Sequence, residues 1–246
     1  MGHNRAASAP LGAAPRHVLQ TVSPGLSRIM PTVPSAQAIA LDSDRRLVML
    51  LAALSAAGTL WSYGGASDKL IWAWEVLPVA VPTALVLWRR NWLSGISCLL
   101  LTGFYLIQCL AGRYTVAGVP FPRSIMEVLD ISRNPSDRIG HVFQGAVAAM
   151  LLREWLRRTT EVRPGPTLFW LVTACALATA AAYELVEMVI ALRFFPGSPE
   201  RWLAMQGDPF DAQWDMTMAL FGAIVVQPLL AARHDRSLAR RLTHAT

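Results

Sequence analysis

Charged residues are scarce in this sequence. Only 15% of its 246 residues are Asp, Glu, Lys or Arg, whereas soluble domains carry about 25%. Long apolar runs take their place, and 54% of the residues are hydrophobic. This composition excludes an ordinary soluble domain and predicts an all-α, polytopic helical bundle embedded in membrane lipid.

Cysteine clusters, a continuous basic surface and a signal peptide are also missing. The three cysteines, Cys98, Cys109 and Cys175, lie inside apolar runs, which argues against a disulfide framework or a cysteine zinc site. The net charge of +6 comes from arginines in short clusters between apolar runs, so no nucleic-acid partner is expected. No continuous apolar segment follows the basic start, which argues against a cleaved secretory signal.

Six apolar runs predict six transmembrane helices, at residues 47–63, 70–88, 93–111, 139–155, 168–192 and 214–232. A span needs about 20 residues, so the fourth run suffices only if its helix begins near Pro135 and its arginine end snorkels. We expect a disordered basic tail over residues 1–44, a transmembrane domain over 45–233 and a short cytoplasmic tail over 234–246. A transit peptide or an over-extended start is the alternative for the first segment.

Arginine clusters predict the orientation of the bundle. They lie before the first run, between the second and third, between the fourth and fifth, and after the sixth: Arg45, Arg46, Arg89, Arg90, Arg153, Arg157, Arg158, Arg163, Arg233, Arg236, Arg240 and Arg241. Basic loops stay in the cytoplasm. Both chain termini are therefore expected to be cytoplasmic.

In this orientation, the ionisable residues of several spans fall at one depth, in the outer leaflet. Asp137 and His141 begin the fourth span, Glu184 and Glu187 end the fifth, and Asp215 begins the sixth. Charges within a span are costly and usually face a cavity or a partner. We therefore expect these side chains to form one polar cluster.

Two segments share a pattern typical of helix starts. Residues 134–137 and 208–211 each contain a capping residue, a proline and an acid, and His141 or Asp215 follows one turn later. Asp208 and Asp211 are interpreted first as helix caps, and Asp211 is also a candidate ligand. Glu75, flanked by tryptophans, is interpreted as a solvated edge residue.

The residue types in this cluster suit a divalent metal, either Mg²⁺, Mn²⁺ or Zn²⁺. The candidate metal ligands are Asp137, His141, Glu184, Asp211 and Asp215, and the candidate catalytic residues are His141, Glu184, Glu187 and Asp215. A metal-assisted site would act on a phosphate or acyl group of an envelope or lipid-linked substrate. Two alternatives remain open: a non-catalytic scaffold or binder whose polar cluster fixes helix packing, and an ion or proton-coupled transporter.

Four ordered motifs, at residues 137–145, 152–154, 183–187 and 206–216, resemble the YjdF-like inner-membrane proteins of bacteria. The resemblance covers roughly residues 47–232 and implies a multi-pass protein of the bacterial inner membrane. The order of the acidic and histidine motifs is also more loosely similar to VanZ-type membrane proteins. The sequence departs from the YjdF-like pattern at Arg113, where the family tends to have His, and at Met188, where it tends to have Trp.

Overall fold

A computed structural model describes residues 36–89 and 93–242, and all regular structure in these residues is helical. Eight α-helices follow one another in the described residues: α1 (Ala36–Gly65), α2 (Lys69–Trp88), α3 (Gly95–Tyr114), α4 (Arg123–Val128), α5 (Ser136–Thr159), α6 (Pro166–Phe194), α7 (Glu200–Leu203) and α8 (Asp211–Leu242). The predicted all-α class is confirmed. Residues 1–35 of the expected tail lie outside the described residues.

Five of the described helices are long and apolar enough to cross a membrane. They are the segments Arg45–Gly65, Lys69–Trp88, Gly95–Tyr114, Pro166–Phe194 and Asp211–Ala239. Large apolar side chains remain exposed on them, such as Leu60 at 76% and Leu229 at 69%. In a bilayer these side chains contact lipid tails, so their exposure costs nothing.

Helix α5, the expected fourth span, carries more charged residues than any of the five segments that qualify as spans. It begins at Ser136, next to Pro135, and its 24 residues make it about 36 Å long. Its ends carry too many charged residues for it to resemble a lipid-exposed span. Its side chains belong instead to two apolar clusters, one with α6 and α8 and one with α1, α2 and α3. Neighbouring helices bury Arg153 and Glu154 of α5, whereas Phe143 and Trp155 stay exposed at 45% and 57%. Burial of charged residues against other parts of the protein explains how α5 tolerates them in a membrane protein.

The end of α5 binds α3 and α8 through a second polar cluster, centred on Glu154. This carboxylate is fully buried and accepts hydrogen bonds from Ser94 N at 2.8 Å and Ser97 Oγ at 2.5 Å. Arg158 Nη2 donates to it at 2.6 Å, and His234 Nε2 lies 3.2 Å away. Glu154 thus joins three helices, and we call this set the Glu154 cluster.

Helix α8 continues beyond the segment expected to end at residue 233. Residues 234–242, predicted as a short tail, continue the same helix, and His234 and Leu238 are buried at 0% and 1% exposure. By its polar and arginine-rich sequence, this segment resembles a solvated tail. His234 is buried because it contacts Ser97 of α3 and Glu154 of α5, and no local pattern in residues 234–242 predicts these contacts.

Candidate functional site

Helices α5 and α8 begin side by side, and side chains of the preceding residues fix both starts. Asn134 Oδ1 accepts a hydrogen bond from Ser136 N at 3.0 Å, and Asp208 Oδ1 accepts one from Phe210 N at 2.9 Å. Each bond joins an Asn or Asp side chain to the N–H two residues later, in the turn that leads into the helix. The predicted capping of α5 by Asn134 is wrong by one residue, because Pro135 is the residue before the helix and no side chain caps it. Gln206 and Asn134 also exchange hydrogen bonds of 2.9 and 3.1 Å through side-chain and backbone atoms, so the two helix starts lie at one level.

Two glycines bring the axes of α5 and α8 close together. A Cβ atom added at Gly145 would lie 1.8 Å from the carbonyl oxygen of Ala219, and one at Gly222 would lie 2.0 Å from that of Val142. Only glycine permits backbones to approach this closely. Because Gly145 is one turn after His141, and Ala219 one turn after Asp215, the contact also sets the separation of those two side chains.

Asp137, His141 and Asp215 form a group that could hold a metal ion. His141 Nε2 lies 3.6 Å from Asp137 Oδ1 and 3.6 Å from Asp215 Oδ2. One ligand atom from each residue falls within 4.8 Å of the other two. The three side chains are 7%, 12% and 6% exposed. We call these residues the D-H-D group.

Arg133 and Arg138 occupy the other oxygen of each aspartate in the D-H-D group. Arg133 Nη2 lies 2.8 Å from Asp137 Oδ2, and Arg138 Nη1 contacts Asp215 Oδ1. Asp137 Oδ1 and Asp215 Oδ2 are left facing His141. Metal-ligating carboxylates are commonly oriented in this way by a hydrogen-bond donor on the second oxygen.

The same two arginines bind Asp208 and Asp211. Arg133 Nη1 and Arg138 Nη2 lie 3.0 and 2.9 Å from Asp208 Oδ2, and their guanidinium groups lie 2.7 and 3.0 Å from Asp211 Oδ1. Two guanidinium groups thus oppose four carboxylates, which formally leaves two negative charges when His141 is neutral. A divalent cation would balance that charge.

The structure separates the five predicted metal ligands. Asp211 accepts hydrogen bonds from both arginines and from Met205 N at 2.9 Å, so it organises the helix start and does not join the D-H-D group. Glu184 is also outside this group, and its Oε1 atom is buried with no hydrogen bond among the described residues. Asp137, His141 and Asp215 are the predicted ligands that come together.

A cavity of about 410 Å³ adjoins the D-H-D group. Its polar lining includes Asp137, His141, Asp211, Asp215, Glu75, Glu187, Gln108, Gln144 and Tyr183. Its apolar lining includes Pro78, Val79, Phe104, Ile107, Leu110, Val116, Val119, Phe121, Ile139 and Phe143. The predicted catalytic residues His141, Glu187 and Asp215 therefore line one cavity, and Glu184 is not part of its lining.

The roles of Arg133, Arg138 and Glu75 were not predicted from the sequence. Arg133 pairs with Asp137 four residues later, but it precedes α5, which begins at Ser136, so helical spacing does not predict this pair. Glu75 lines the cavity, whereas a solvated edge position was expected. Its helix is held towards α3 by Gln108 Nε2, which donates to the Glu75 carbonyl oxygen at 3.2 Å.

Comparison with known proteins identifies the family. Residues 47–236 match the family described as "Predicted membrane protein (DUF2238)". The chain is 41% identical over 177 residues to the inner membrane protein YjdF of Escherichia coli (strain K12). The aligned region covers 71% of this chain and 84% of the relative. No solved structure matches the chain. The predicted YjdF-like resemblance is confirmed, while the looser similarity to VanZ-type proteins stays a prediction. The chain belongs to the YjdF-like family of membrane proteins (DUF2238) and is a multi-pass protein of the inner membrane.

Proposed function

We propose that this protein is a membrane-embedded, metal-assisted enzyme that acts on a lipid-linked or envelope amphiphile. The observation that carries this proposal is the D-H-D group, where two carboxylate oxygens and an imidazole nitrogen face one another at the edge of a cavity. Carboxylate and imidazole ligands suit Mn²⁺ or Zn²⁺, and Mg²⁺ would use the carboxylates with water.

The surroundings of the group support a hydrolytic or group-transfer reaction. Asp137, His141 and Asp215 would hold the metal and leave coordination positions for water or substrate. A divalent metal held there would supply polarisation of a phosphoryl or acyl oxygen and activation of water. Glu187 lines the same cavity and is the candidate for accepting a proton during attack. The apolar wall formed by residues such as Phe104, Ile107 and Phe143 fits the hydrocarbon part of an amphiphile.

Metal binding by the purified protein tests the proposal directly. After chelation and dialysis, we expect one Mn²⁺ or Zn²⁺ per chain by calorimetry or elemental analysis, and no stoichiometric binding in His141→Ala or Asp215→Asn. Glu161→Gln is the matched control, because Glu161 is exposed in the loop after α5. Mass spectrometry of lipids in reconstituted vesicles would then detect metal-dependent turnover. A wild-type protein that binds no divalent metal would refute the proposal.

A non-catalytic scaffold is the second candidate, and the ion pairs at the helix starts favour it. Arg133 and Arg138 each contact aspartates on both sides of the junction between α5 and α8, which is the arrangement expected of residues that fix packing. The two functions differ in one measurement. If Asp215→Asn lowers the melting temperature in detergent but no metal binds to wild type, packing is the main role of the cluster.

Transport receives less support from the arrangement of polar groups. Along α5, the apolar residues Val147, Ala149 and Met150 lie between His141 and Glu154, and all three are buried. Along α5 these apolar side chains interrupt the polar residues, and a proton or ion path needs continuous polar groups or water. Proton-coupled flux in vesicles that is lost in Glu184→Gln would favour transport instead.

A further inference from the structure

Two glutamates on the cavity wall have no cationic partner among the described residues. Glu75 comes from α2 and Glu187 from α6, and both line the cavity that contains the D-H-D group. Arg133 and Arg138, which flank the D-H-D group, are taken up by aspartates. Carboxylates at membrane depth are costly unless a partner compensates for their desolvation.

The rest of the cavity wall indicates what kind of molecule would bring that partner. Apolar side chains from α2, α3, α5 and the segment after α3 form most of the lining, including Val79, Phe104, Ile107, Phe121 and Phe143. The volume of about 410 Å³ lies within the usual range of about 300 to 1,000 Å³ for small-molecule sites. It accommodates a head group and the first part of a hydrocarbon chain.

We propose that the cavity recognises a lipid whose head group carries a primary ammonium beside a phosphate, as in an ethanolamine phospholipid. The ammonium donates hydrogen bonds to Glu75 and Glu187, and the lipid chains follow the apolar wall. This inference rests on the proposed function, because it assigns the phosphate to the D-H-D group. A primary ammonium is preferred over a quaternary one because carboxylates accept N–H donors.

Lipid retention by the full-length protein tests this assignment. The probe is a set of nanodiscs containing equal amounts of phosphatidylethanolamine, phosphatidylglycerol and phosphatidylcholine, and the readout is the lipid bound to the detergent-extracted protein, measured by mass spectrometry. We expect about tenfold enrichment of phosphatidylethanolamine over the other two, as one charge-assisted hydrogen bond implies. Glu75→Gln and Glu187→Gln should each reduce the enrichment towards the bulk ratio, and Glu161→Gln should not.

Several results would overturn the assignment. Equal retention of the three lipids would exclude head-group recognition. If phosphatidylcholine were retained as well as phosphatidylethanolamine and phosphatidylglycerol were not, recognition through N–H hydrogen bonds would be excluded. Displacement of the lipid by an equal concentration of soluble phosphoethanolamine would show a free head-group ligand instead of a membrane lipid. Enrichment that is unchanged in both glutamine variants would exclude Glu75 and Glu187 as the recognising groups.

Mn²⁺ binding measured on the same samples separates this inference from the proposed function. Mn²⁺ binding without a preference for the ethanolamine lipid would overturn the inference and leave the proposed function standing. An ethanolamine preference without Mn²⁺ binding would support amine recognition by the glutamates and overturn the metal-assisted reaction. Melting temperatures of all variants exclude misfolding as the cause of a lost preference.

Discussion

At the scale of single residues, the aspartates around the cavity differ in what their oxygens contact. Asp211 Oδ1 contacts both arginines, while its Oδ2 accepts a backbone N–H. Asp137 and Asp215 each give one oxygen to an arginine and turn the other to His141. Four residues apart in sequence, Asp211 and Asp215 are therefore chemically distinct, since only Asp215 has an oxygen left for a ligand.

Glu154 offers a test of the buried polar cluster at the other end of α5. We expect Glu154→Ala to lower the free energy of unfolding by about 3 to 5 kcal/mol, because it leaves Arg158 and the donors of Ser94 and Ser97 without their buried partner. Thermal or denaturant unfolding in detergent measures the loss. Glu161→Ala removes an exposed acid and should change stability little. Equal stability of the two variants would contradict a structural role for Glu154.

At the scale of elements, the close contact of α5 with α8 connects packing to the candidate site. Gly145 and Gly222 contact the partner helix through backbone atoms, and the D-H-D group lies one turn from that contact. A small increase in the distance between the helices would move His141 away from Asp215. The site and the helix contact therefore depend on each other.

A side chain at this contact should disturb both stability and metal binding. Gly145→Ala places a methyl group against Ala219, and overpacking of this kind costs about 1 to 3 kcal/mol. We expect a lower melting temperature and weaker Mn²⁺ binding. Gly103→Ala is the control, because its added Cβ meets nothing within 4 Å. Unchanged Mn²⁺ affinity in a folded Gly145→Ala protein would show that the helix contact does not set the D-H-D geometry.

At the scale of the whole molecule, the number of membrane crossings decides where the C-terminus lies. Among residues 36–89 and 93–242, five helices qualify as spans by length and apolarity, and α5 would be the sixth. Six crossings return the chain to the side on which it began, whereas five do not. Charged residues of α5 have ion-pair partners within the protein, as Arg138 has in Asp211 and Arg158 in Glu154. Its composition therefore does not exclude a crossing.

We predict that both termini are cytoplasmic and that α5 crosses the membrane. Arginines follow α5 and occupy the end of α8, and basic segments are retained in the cytoplasm. A green fluorescent protein fused to the C-terminus should fluoresce, and alkaline phosphatase fused there should be inactive. Fusions at the N-terminus should behave in the same way. An active C-terminal phosphatase beside a cytoplasmic N-terminus would mean that α5 does not cross.

Local sequence was enough to predict the membrane class, the positions of five spans in the described residues and a grouping of polar residues at one end of the helices. These properties depend on local composition, because a span must be long and apolar wherever it packs. The start of α5 near Pro135 and the turns formed by Asn134 and Asp208 before the two helices depend on local geometry in the same way. Scarcity of charge made each charged residue within a span informative.

Which polar residues meet depends on how the helices pack in three dimensions. Glu184 looked equivalent to Asp215 in sequence, but helix rotation and packing leave it outside the D-H-D group. Glu75 was expected at a solvated edge and instead lines the cavity. Arg133 and Arg138 reach aspartates more than 65 positions away, and Glu154 reaches His234 over 80. Such contacts depend on how whole helices pack, and helical periodicity within one segment carries no information about the neighbour it will face.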